Sequence, residues 1–232
     1  MFSIKIAGIT VCIHNRYPYV EDMCCDYVTE DSDTCFHVEV TPGDIAREQA
    51  EADVPCTPSY CESICIYRAI SRRLIDYDSF LMHGACIEYR GDVYVFCAKS
   101  GVGKSTHLSL WKKVFGDAAH IINGDKPILR KHNGIYYVYG TPWCGKEGWN
   151  MNTSAPLKAL CFLERGIENT IEPVAASMVM HRMCHQVLFP KSPEQMTRYL
   201  DMMDDFIQHT PCYLLHCNME EEAAKIAYES MR

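Results

Sequence analysis

Residues 92–115 read DVYVFCAKSGVGKSTHLSLWKKVF. Val93 to Cys97 form an apolar run rich in β-branched and aromatic residues, which is typical of a strand buried on both faces. A loop of small residues follows, and beyond Gly103 the leucines, a tryptophan and a valine recur at the spacing of one helix face. The stretch therefore predicts a strand, a glycine-rich loop and a helix, in the order that a phosphate-binding P-loop requires.

Small residues are needed in such a loop because several backbone N–H groups must point at the same phosphate oxygens. Gly101 and Gly103 allow this, and the following helix N-terminus favours an anion through its unpaired N–H groups and its dipole. The P-loop pattern has a first glycine where this chain has Ala98, which is tolerated if its φ is negative. The predicted nucleotide-binding residues are Ser100, Gly101, Val102, Gly103, Lys104, Ser105 and Thr106. The alternative is a glycine-rich turn that binds nothing.

A cation and two metal ligands complete the predicted site. Lys104 would reach the β- and γ-phosphates of ATP, and the Ser105 hydroxyl would ligate Mg²⁺. Downstream, HIINGD predicts a short strand that delivers Asp125 to the end of the sheet, where a carboxylate can hold Mg²⁺ against the phosphates. Asp125 is therefore the predicted metal ligand beside Ser105. The alternative is a turn aspartate before Lys126 and Pro127.

Composition excludes several classes of protein. With 232 residues, 48% of them hydrophobic and 22% charged, the chain suits a globular α/β protein. Its formal net charge of −8 argues against a general nucleic-acid or anionic-membrane surface. No apolar stretch approaches the ~18 residues of a transmembrane helix. Several of the 14 cysteines lie in apolar runs and no signal peptide precedes them, so we expect reduced thiols in a cytoplasmic protein.

The rest of the chain predicts two regions. Residues 1–58 are expected to form a small α+β region without a catalytic motif, and residues 59–232 a P-loop kinase-like domain. Within the first region, residues 2–13 alternate like one strand, and residues 18–33 read as a loop with a short strand. Leu81 to Ile87 are expected in one strand that forms a hairpin with the P-loop strand, and this order predicts a mixed sheet.

Two further stretches carry residues of functional types. GTPWCGKEGWNMN, from Gly140 to Asn152, is rich in glycine and tryptophan and contains Lys146, which fits either substrate contacts or a structural loop with buried tryptophans. Arg165 follows a predicted strand and could address a phosphate or pair with Glu164. Both stretches are therefore open candidates.

Histidines and cysteines at metal-ligand spacings are weaker candidates. A helix predicted over Ala175–Leu188 places His181 and His185 on one face, as in some zinc sites, but core or solvent-facing histidines are the commoner outcome. The pairs Cys24 with Cys25 and Cys61 with Cys65 lack a second pair at zinc-site spacing. We therefore assign no metal site to them.

The segments LMHGACIEYRGDVYVFCAKSGVGKST and IINGD together resemble the kinase domain of HPr kinase/phosphorylase, a branch of P-loop proteins shared with ATP-dependent phosphoenolpyruvate carboxykinase. The resemblance covers about residues 79–165. It implies a mixed-sheet α/β domain using ATP and Mg²⁺, with His83 beside the reacting phosphate and Asp125 as one member of an aspartate pair. The chain departs from the family where Gly124 replaces the first aspartate, after Asn123, and where the lysine-bearing loop that binds HPr is not found.

The sequence thus predicts an ATP- and Mg²⁺-dependent kinase that transfers the γ-phosphoryl group to a hydroxyl, a serine in a protein or peptide, with Lys104, Asp125 and His83 as catalytic residues. Two alternatives stay open. One is a small-molecule kinase or carboxykinase-like enzyme whose glycine-rich loop and Arg165 grip an acidic substrate. The other is a nucleotide-sensing module that lost turnover with the family's first acid. The expected partners are a nucleotide and an acceptor, with homo-oligomers open and neither nucleic acid nor membrane involved.

Overall fold

The computed structural model describes residues 1–232, which form two sheets and the helices that cover them. The strands are β1 Phe2–Ile6, β2 Ile9–His14, β3 Phe36–Glu39, β4 Ser79–Leu81, β5 Ala85–Tyr89, β6 Asp92–Cys97, β7 Ala119–Asn123, β8 Ile128–His132, β9 Ile135–Tyr139, β10 Ser154–Arg165, β11 Thr170–Pro173 and β12 Cys212–Cys217. The helices are α1 Pro18–Met23, α2 Pro42–Glu51, α3 Pro58–Leu74, α4 Lys104–Phe115, α5 Ala176–Met183, α6 Pro193–His209 and α7 Glu221–Met231.

The larger sheet has nine strands and holds the predicted P-loop strand, β6, in its interior. β6 pairs in parallel with β10 and antiparallel with β5. β7 lies beyond β5, whereas β9, β8 and β4 follow β10 on the other side, and β12 also pairs in parallel with β10. Parallel and antiparallel pairs coexist in this sheet, so the prediction of an α/β protein with a mixed sheet is confirmed.

Alternate residues of β6 belong to two different cores, which is why its sequence is apolar throughout. Val93, Val95 and Cys97 pack on the face covered by α5 and α6. Tyr94 and Phe96 pack on the opposite face, covered by α4 and α7. A strand buried on both faces shows no polar alternation. The larger sheet is therefore the middle layer of a helix–sheet–helix arrangement, and the loop predicted to be a P-loop follows β6 directly.

The N-terminal sheet corrects one prediction. Residues 2–13 form a hairpin of β1 and β2 rather than one strand, because Ala7 and Gly8, with φ of 50° and 71°, reverse the chain between them. β3 then pairs in parallel with β2. Apolar residues of this sheet share a core with Ile66 and Ile70 of α3. The division of the chain at residue 58 stays a prediction.

The segment from Pro18 to Asp33 also differs from the prediction of a loop with a short strand. It contains the six-residue helix α1 and a 3₁₀ turn from Cys25 to Tyr27. Pro18 fits the first turn of a helix, where its missing N–H costs nothing. A helix this short shows too little periodicity to be read from apolar spacing, because only Val20 is buried.

The predicted strand from Leu81 to Ile87 is two strands joined by a short connection. β4 ends at Leu81 and β5 begins at Ala85, because the chain changes partners between them: β4 pairs with β8, whereas β5 pairs with β6 and β7. In the connection, the N–H of His83 donates to the Gln186 carbonyl at 2.6 Å and that of Gly84 to the Asp125 carbonyl at 3.0 Å. His83 is thereby fixed beside Asp125.

Helix α5 ends at Met183, short of the predicted end at Leu188. The chain turns away there because Gln186 and Val187 make backbone contacts with the β4–β5 connection. Farther along the chain, β12 lies between helices α6 and α7.

The longest helices are amphipathic. In α6, of 17 residues, the buried apolar positions Tyr199, Met203 and Phe206 alternate with exposed charged ones, whereas α3, of the same length, also buries Glu62. None of the helices combines the length and the apolar character that a membrane crossing requires.

Candidate functional site

The loop between β6 and α4 has the backbone conformation expected of a P-loop. Gly101 has a φ of 78° and Gly103 a φ of 131°, a region that favours glycine over residues with a side chain. Ala98 does not have a positive φ, so it replaces the first glycine of the pattern without backbone strain. No side chain caps the N-terminus of α4, and the N–H groups of its first turn are therefore available to an anion.

The three predicted catalytic residues converge beside this loop. Lys104 Nζ lies 3.0 Å from His83 Nε2 and 3.3 Å from the carbonyl oxygen of Ala98. His83 Nε2 lies 3.1 Å from Asp125 Oδ1. Lys104 begins α4, His83 lies between β4 and β5, and Asp125 follows β7. The fold, rather than local sequence, brings these three side chains together.

Nε2 of a neutral His83 can form a regular hydrogen bond with Lys104 or with Asp125, but not with both at the same time. If Nε2 carries the hydrogen, it donates to Asp125; if it carries the lone pair, it accepts from the Lys104 ammonium. The imidazole therefore links the cation of the P-loop to the carboxylate in one of two ways. In the second arrangement, a negative ligand that draws Lys104 away would free the Nε2 lone pair.

Burial and neighbouring charges set the ionisation of the cluster. Burial lowers the pKa of Lys104, and the negative charge of Asp125 opposes this shift. Burial raises the pKa of Asp125, but the hydrogen bond from His83 and the charge of Lys126 outweigh it and lower the pKa to about 2. Asp125 is thus a carboxylate at neutral pH, suited to holding a cation and too weak a base to accept a proton.

Asn123 holds the Asp125 turn in place. Its side chain is fully buried, and Oδ1 accepts from the N–H groups of Asp125 and Lys126 at 2.9 and 2.7 Å. Its Nδ2 donates to the Thr141 carbonyl at 2.9 Å. Lys126, which sequence analysis treated only as a neighbour of the turn, places its Nζ 2.9 Å from Asp125 Oδ2. Asp125 is therefore a turn aspartate that also points into the site.

The glycine-rich loop of residues 140–152 lies against this turn. The N–H of Gly124 donates to the Trp149 carbonyl at 2.9 Å, and a Cβ at position 124 would lie 2.7 Å from the Cys144 carbonyl oxygen. Backbone thus fills the space that a side chain at position 124 would need. Trp143 of the same loop is buried, and its Nε1 donates to the Ser63 carbonyl at 3.1 Å. The loop consequently has a structural part at Trp143 and a part that faces the site.

Together these elements line a cavity of about 520 Å³, the charged cavity, which has no apolar side chain in its wall. Its lining residues are His83, Ser100, Gly101, Gly103, Lys104, Ser105, Thr106, Gly124, Asp125, Gly145, Lys146 and Glu147. Of the predicted nucleotide-binding residues only Val102 is missing, and its N–H donates to the Lys99 carbonyl at 3.2 Å. Glu147, which sequence analysis missed, adds a carboxylate whose side chain is 23% exposed.

A second cavity, of about 460 Å³, adjoins the same loop and is called the flanking cavity below. It shares Gly101, Gly103 and Thr106 with the charged cavity, and its other lining residues are Val102, His107, Leu110, Leu163, Arg165, Gly166, Cys217, Asn218 and Met219. Arg165 Nη2 donates to the Gly101 carbonyl at 2.7 Å, whereas Glu164 pairs with Arg182. Arg165 therefore supports the P-loop backbone from the flanking cavity.

The remaining candidates stay outside the charged cavity. The His181 and His185 rings are 5.4 Å apart, and His185 lines a small cavity of about 180 Å³ that also reaches His83 and Lys126. Cys61 Sγ lies 3.0 Å from Cys56 Sγ rather than beside Cys65. All 14 cysteines are free thiols.

Comparison with known proteins identifies a family and a distant structural likeness. The structure of the HPr(Ser) kinase/phosphatase from Coxiella burnetii matches with a TM-score of 0.38 and 7% identity, over 65% of this chain and 95% of that one. This similarity is weak. No curated protein matches the sequence. The sequence does match the family described as "ScmC: SynChlorMet cassette protein ScmC" over residues 60–222, and the chain therefore belongs to the ScmC family.

Proposed function

We propose that this protein is an ATP- and Mg²⁺-dependent kinase that transfers the γ-phosphoryl group to a hydroxyl, a serine of a protein or peptide. The convergence of Lys104, His83 and Asp125 on a cavity without apolar side chains, beside an uncapped helix N-terminus, carries the proposal. The proposal includes a P-loop domain of the HPr kinase and phosphoenolpyruvate carboxykinase type over residues 59–232, with residues 1–58 as an extension.

The residues of the charged cavity fit a magnesium nucleotide. The first turn of α4 and the glycines of the P-loop offer unpaired N–H groups to phosphate oxygens. Lys104 supplies the cation for the β- and γ-phosphates. Asp125, ionised at neutral pH, and the Ser105 hydroxyl are the oxygen ligands for Mg²⁺, which neutralises charge on the phosphates when bound.

The chain's own groups divide the work of transfer. Lys104 and the α4 N-terminus hold the phosphoryl group in place and stabilise the charge that develops on it. Asp125 is too weak a base for the acceptor proton, so His83 takes that role, because imidazoles are the usual proton carriers at neutral pH. The acceptor oxygen bonds to the γ-phosphorus, the bond to the β–γ bridging oxygen breaks, and His83 Nε2 receives the hydroxyl proton.

When His83 Nε2 carries the lone pair, it accepts from the Lys104 ammonium, whose Nζ lies 3.0 Å away. Bound phosphate attracts the ammonium more strongly than a neutral imidazole does, so nucleotide binding would release the Nε2 lone pair. His83 also lines the small cavity that Tyr67, Leu81, Val187 and Leu188 share. The small cavity is therefore the proposed route by which an acceptor hydroxyl reaches both His83 Nε2 and the γ-phosphate.

Glu147 supplies the acid that the HPr kinase pattern has and that this chain lacks at Gly124. It lines the charged cavity with Asp125, and the adjacent Gly145 comes so close to Asp125 that a Cβ there would lie 3.2 Å from the aspartate Cβ. Backbone atoms of the loop of residues 140–152 thus fill the space that an acid at position 124 would need. The same loop brings a different acid, Glu147, to the charged cavity. We assign Glu147 to the metal or its water shell.

Calorimetry with a non-hydrolysable ATP analogue tests the nucleotide and metal parts of the proposal. We expect binding that strengthens with Mg²⁺ in the wild type and loses that gain in Asp125→Asn, which keeps the shape of the side chain. Incubation with ATP and a library of serine-containing peptides, read by mass spectrometry for a phosphate adduct, then tests transfer.

The outcomes separate the candidate functions. Nucleotide binding without phosphate release or transfer to peptides or small hydroxyl compounds would indicate a nucleotide-sensing module. Transfer to small hydroxyl compounds but not to peptides would indicate a small-molecule kinase. Failure to bind the analogue under any condition would refute the proposal.

A further inference from the structure

A cysteine and two histidines meet on the face of the N-terminal sheet opposite its core, remote in sequence from the P-loop. Cys12 and His14 lie two residues apart on β2 and therefore point to the same face. His37 on β3 is paired directly with Cys12. The alternate residues Val11 and Ile13 belong to the buried core behind the sheet, so the three side chains share the opposite face.

Their donor atoms are close enough to share one ion. Cys12 Sγ lies 3.8 Å from His14 Nε2, His14 Nε2 lies 3.2 Å from His37 Nδ1, and all three donor atoms lie within 4.8 Å of one another. In a tetrahedral zinc site with Zn–N near 2.0–2.1 Å and Zn–S near 2.3 Å, two nitrogens are about 3.3 Å apart and a sulfur and a nitrogen about 3.6 Å. The two edges that meet at His14 Nε2 are within about 0.2 Å of these lengths, and the edge between Cys12 Sγ and His37 Nδ1 is no longer than 4.8 Å.

The three side chains differ in their exposure to solvent, and the pairing of β2 with β3 fixes their spacing. Cys12 is 5% exposed, His14 is half-buried and His37 is exposed, so an ion bound to all three would keep one side toward solvent. Two of the ligands come from one strand and the third from its hydrogen-bonded neighbour, which fixes their spacing. Glu39, paired with His14 in the same register, is a nearby carboxylate on the same face and the natural candidate for a fourth position.

Without an ion, the contacts of this cluster are poor. The two imidazole nitrogens that meet at 3.2 Å need one hydrogen between them, and that hydrogen bond uses His14 Nε2. The Cys12 thiol makes no side-chain hydrogen bond other than that with the same nitrogen, at 3.8 Å. Three donor atoms thus compete for one hydrogen bond, whereas a single cation would satisfy all of them. A thiolate with two imidazoles is a donor set that suits Zn²⁺ and related borderline ions.

We propose that Cys12, His14 and His37 bind one Zn²⁺ ion, with the fourth position open to water or Glu39. The site ties β2 to β3 across the segment of residues 15–35, which contains α1. It is independent of the nucleotide site, whose oxygen ligands suit Mg²⁺ instead. Bound zinc would therefore stabilise the N-terminal sheet whether or not the protein is a kinase.

Cobalt titration of the full-length, tag-free, reduced and chelator-treated protein tests the site. Co²⁺ reports its ligands directly, because a cysteine thiolate gives a charge-transfer band and tetrahedral coordination gives intense visible bands. We expect one equivalent to bind with both signatures and one equivalent of Zn²⁺ to displace it. Cys12→Ser should remove the charge-transfer band, and His37→Gln, at an exposed position, should weaken binding at least about 10-fold.

Two control variants remove the competing sites elsewhere in the chain. Cys56→Ser removes one thiol of the close Cys56–Cys61 pair. His181→Gln removes one imidazole of the His181–His185 pair. Neither should change the cobalt spectrum. Zn²⁺ should also raise the thermal midpoint of the wild type but not that of His37→Gln. The proposal is overturned if no thiolate band appears, if the band survives Cys12→Ser, if binding survives His37→Gln unchanged, or if either control abolishes it.

Discussion

The two cavities that adjoin the P-loop share part of their lining and differ in the polarity of the rest. Gly101, Gly103 and Thr106 line both. The charged cavity adds Lys104, Asp125 and other polar residues, with no apolar side chain among them. The flanking cavity is of similar size but adds apolar residues: Val102, Leu110, Leu163 and Met219.

This difference matches the two halves of a nucleotide. Phosphates need cations, N–H groups and metal ligands, whereas a base needs an apolar surface with a few polar groups. We therefore expect the charged cavity to decide turnover and the flanking cavity to decide which base is preferred. Variants on the two sides should have separable effects, and each prediction below tests one side.

The largest effect is expected for Lys104→Ala. Loss of the only cation at the start of α4 should lower phosphoryl transfer by at least about 10³-fold, because transfer depends on charge neutralisation at the γ-phosphate. The fold should persist, since Lys104 makes its polar side-chain contacts only with His83 and the Ala98 carbonyl. ADP formation with an active acceptor measures the loss.

Lys146→Ala is the matched control for that variant. Lys146 lines the same cavity, but its side chain is 91% exposed and solvent screens its charge. We expect a change below about 3-fold. Equal losses in the two variants would show that the total positive charge of the cavity matters rather than the P-loop lysine.

Glu147→Gln should give the second-largest effect on turnover. If Glu147 stands in for the acid absent at position 124, its neutral isostere should lower transfer about 10–100-fold and raise the Mg²⁺ concentration needed for half-maximal rate. The fold should not suffer, because Glu147 has only a 4.0 Å contact to Lys146 as an ion pair. A normal Mg²⁺ dependence in Glu147→Gln would leave Asp125 as the sole metal-binding acid.

Gly124→Ala tests whether backbone really fills the place of the missing acid. A methyl group there would approach the Cys144 carbonyl oxygen to 2.7 Å, so the variant should lose about 1–3 kcal/mol of unfolding free energy in urea titrations. Gly43→Ala, whose Cβ would meet its nearest atom at 3.7 Å in the first turn of α2, should change stability by less than about 0.5 kcal/mol. Equal stability of the two variants would show that the backbone at Cys144 can move to accommodate a side chain at position 124, and that an aspartate could fit there.

The half of the site that could be read from sequence is the half whose residues are neighbours in the chain. β6, the loop and α4 follow one another, so spacing alone predicted them, including the tolerance of Ala98. Asp125 was predicted because the end of a short apolar strand is a recognisable position, and its carboxylate lies beside His83, while its role as a metal ligand stays a prediction. These signals depend only on residues that are close together in the sequence, so they can be recognised before the fold is known.

The other half depends on chain segments that meet only in space. Nothing near Glu147 indicates that its loop folds back onto Asp125, and Arg165 reaches Gly101 rather than either partner considered for it. The prediction of a single strand from Leu81 to Ile87 was wrong for a related reason. The chain changes sheet partners at His83, and apolar composition does not indicate which strand will pair with which. Cys12, His14 and His37 likewise join only through the parallel pairing of β2 and β3.

The smallest predicted effect separates the two cavities most sharply. Leu110→Gln keeps a good helix-forming residue in α4 but places an amide in the apolar part of the flanking cavity. Losing part of one apolar contact costs about 1 kcal/mol, so the affinity for the Mg²⁺-bound ATP analogue should fall about 5-fold. Affinity for Mg²⁺-bound inorganic triphosphate should not change, because its phosphates use only the charged cavity. Leu200→Gln, at a half-exposed position of α6 that lines neither cavity, is the control and should alter neither affinity. If Leu110→Gln weakens both ligands equally, the two cavities act as one site, and the base lies elsewhere.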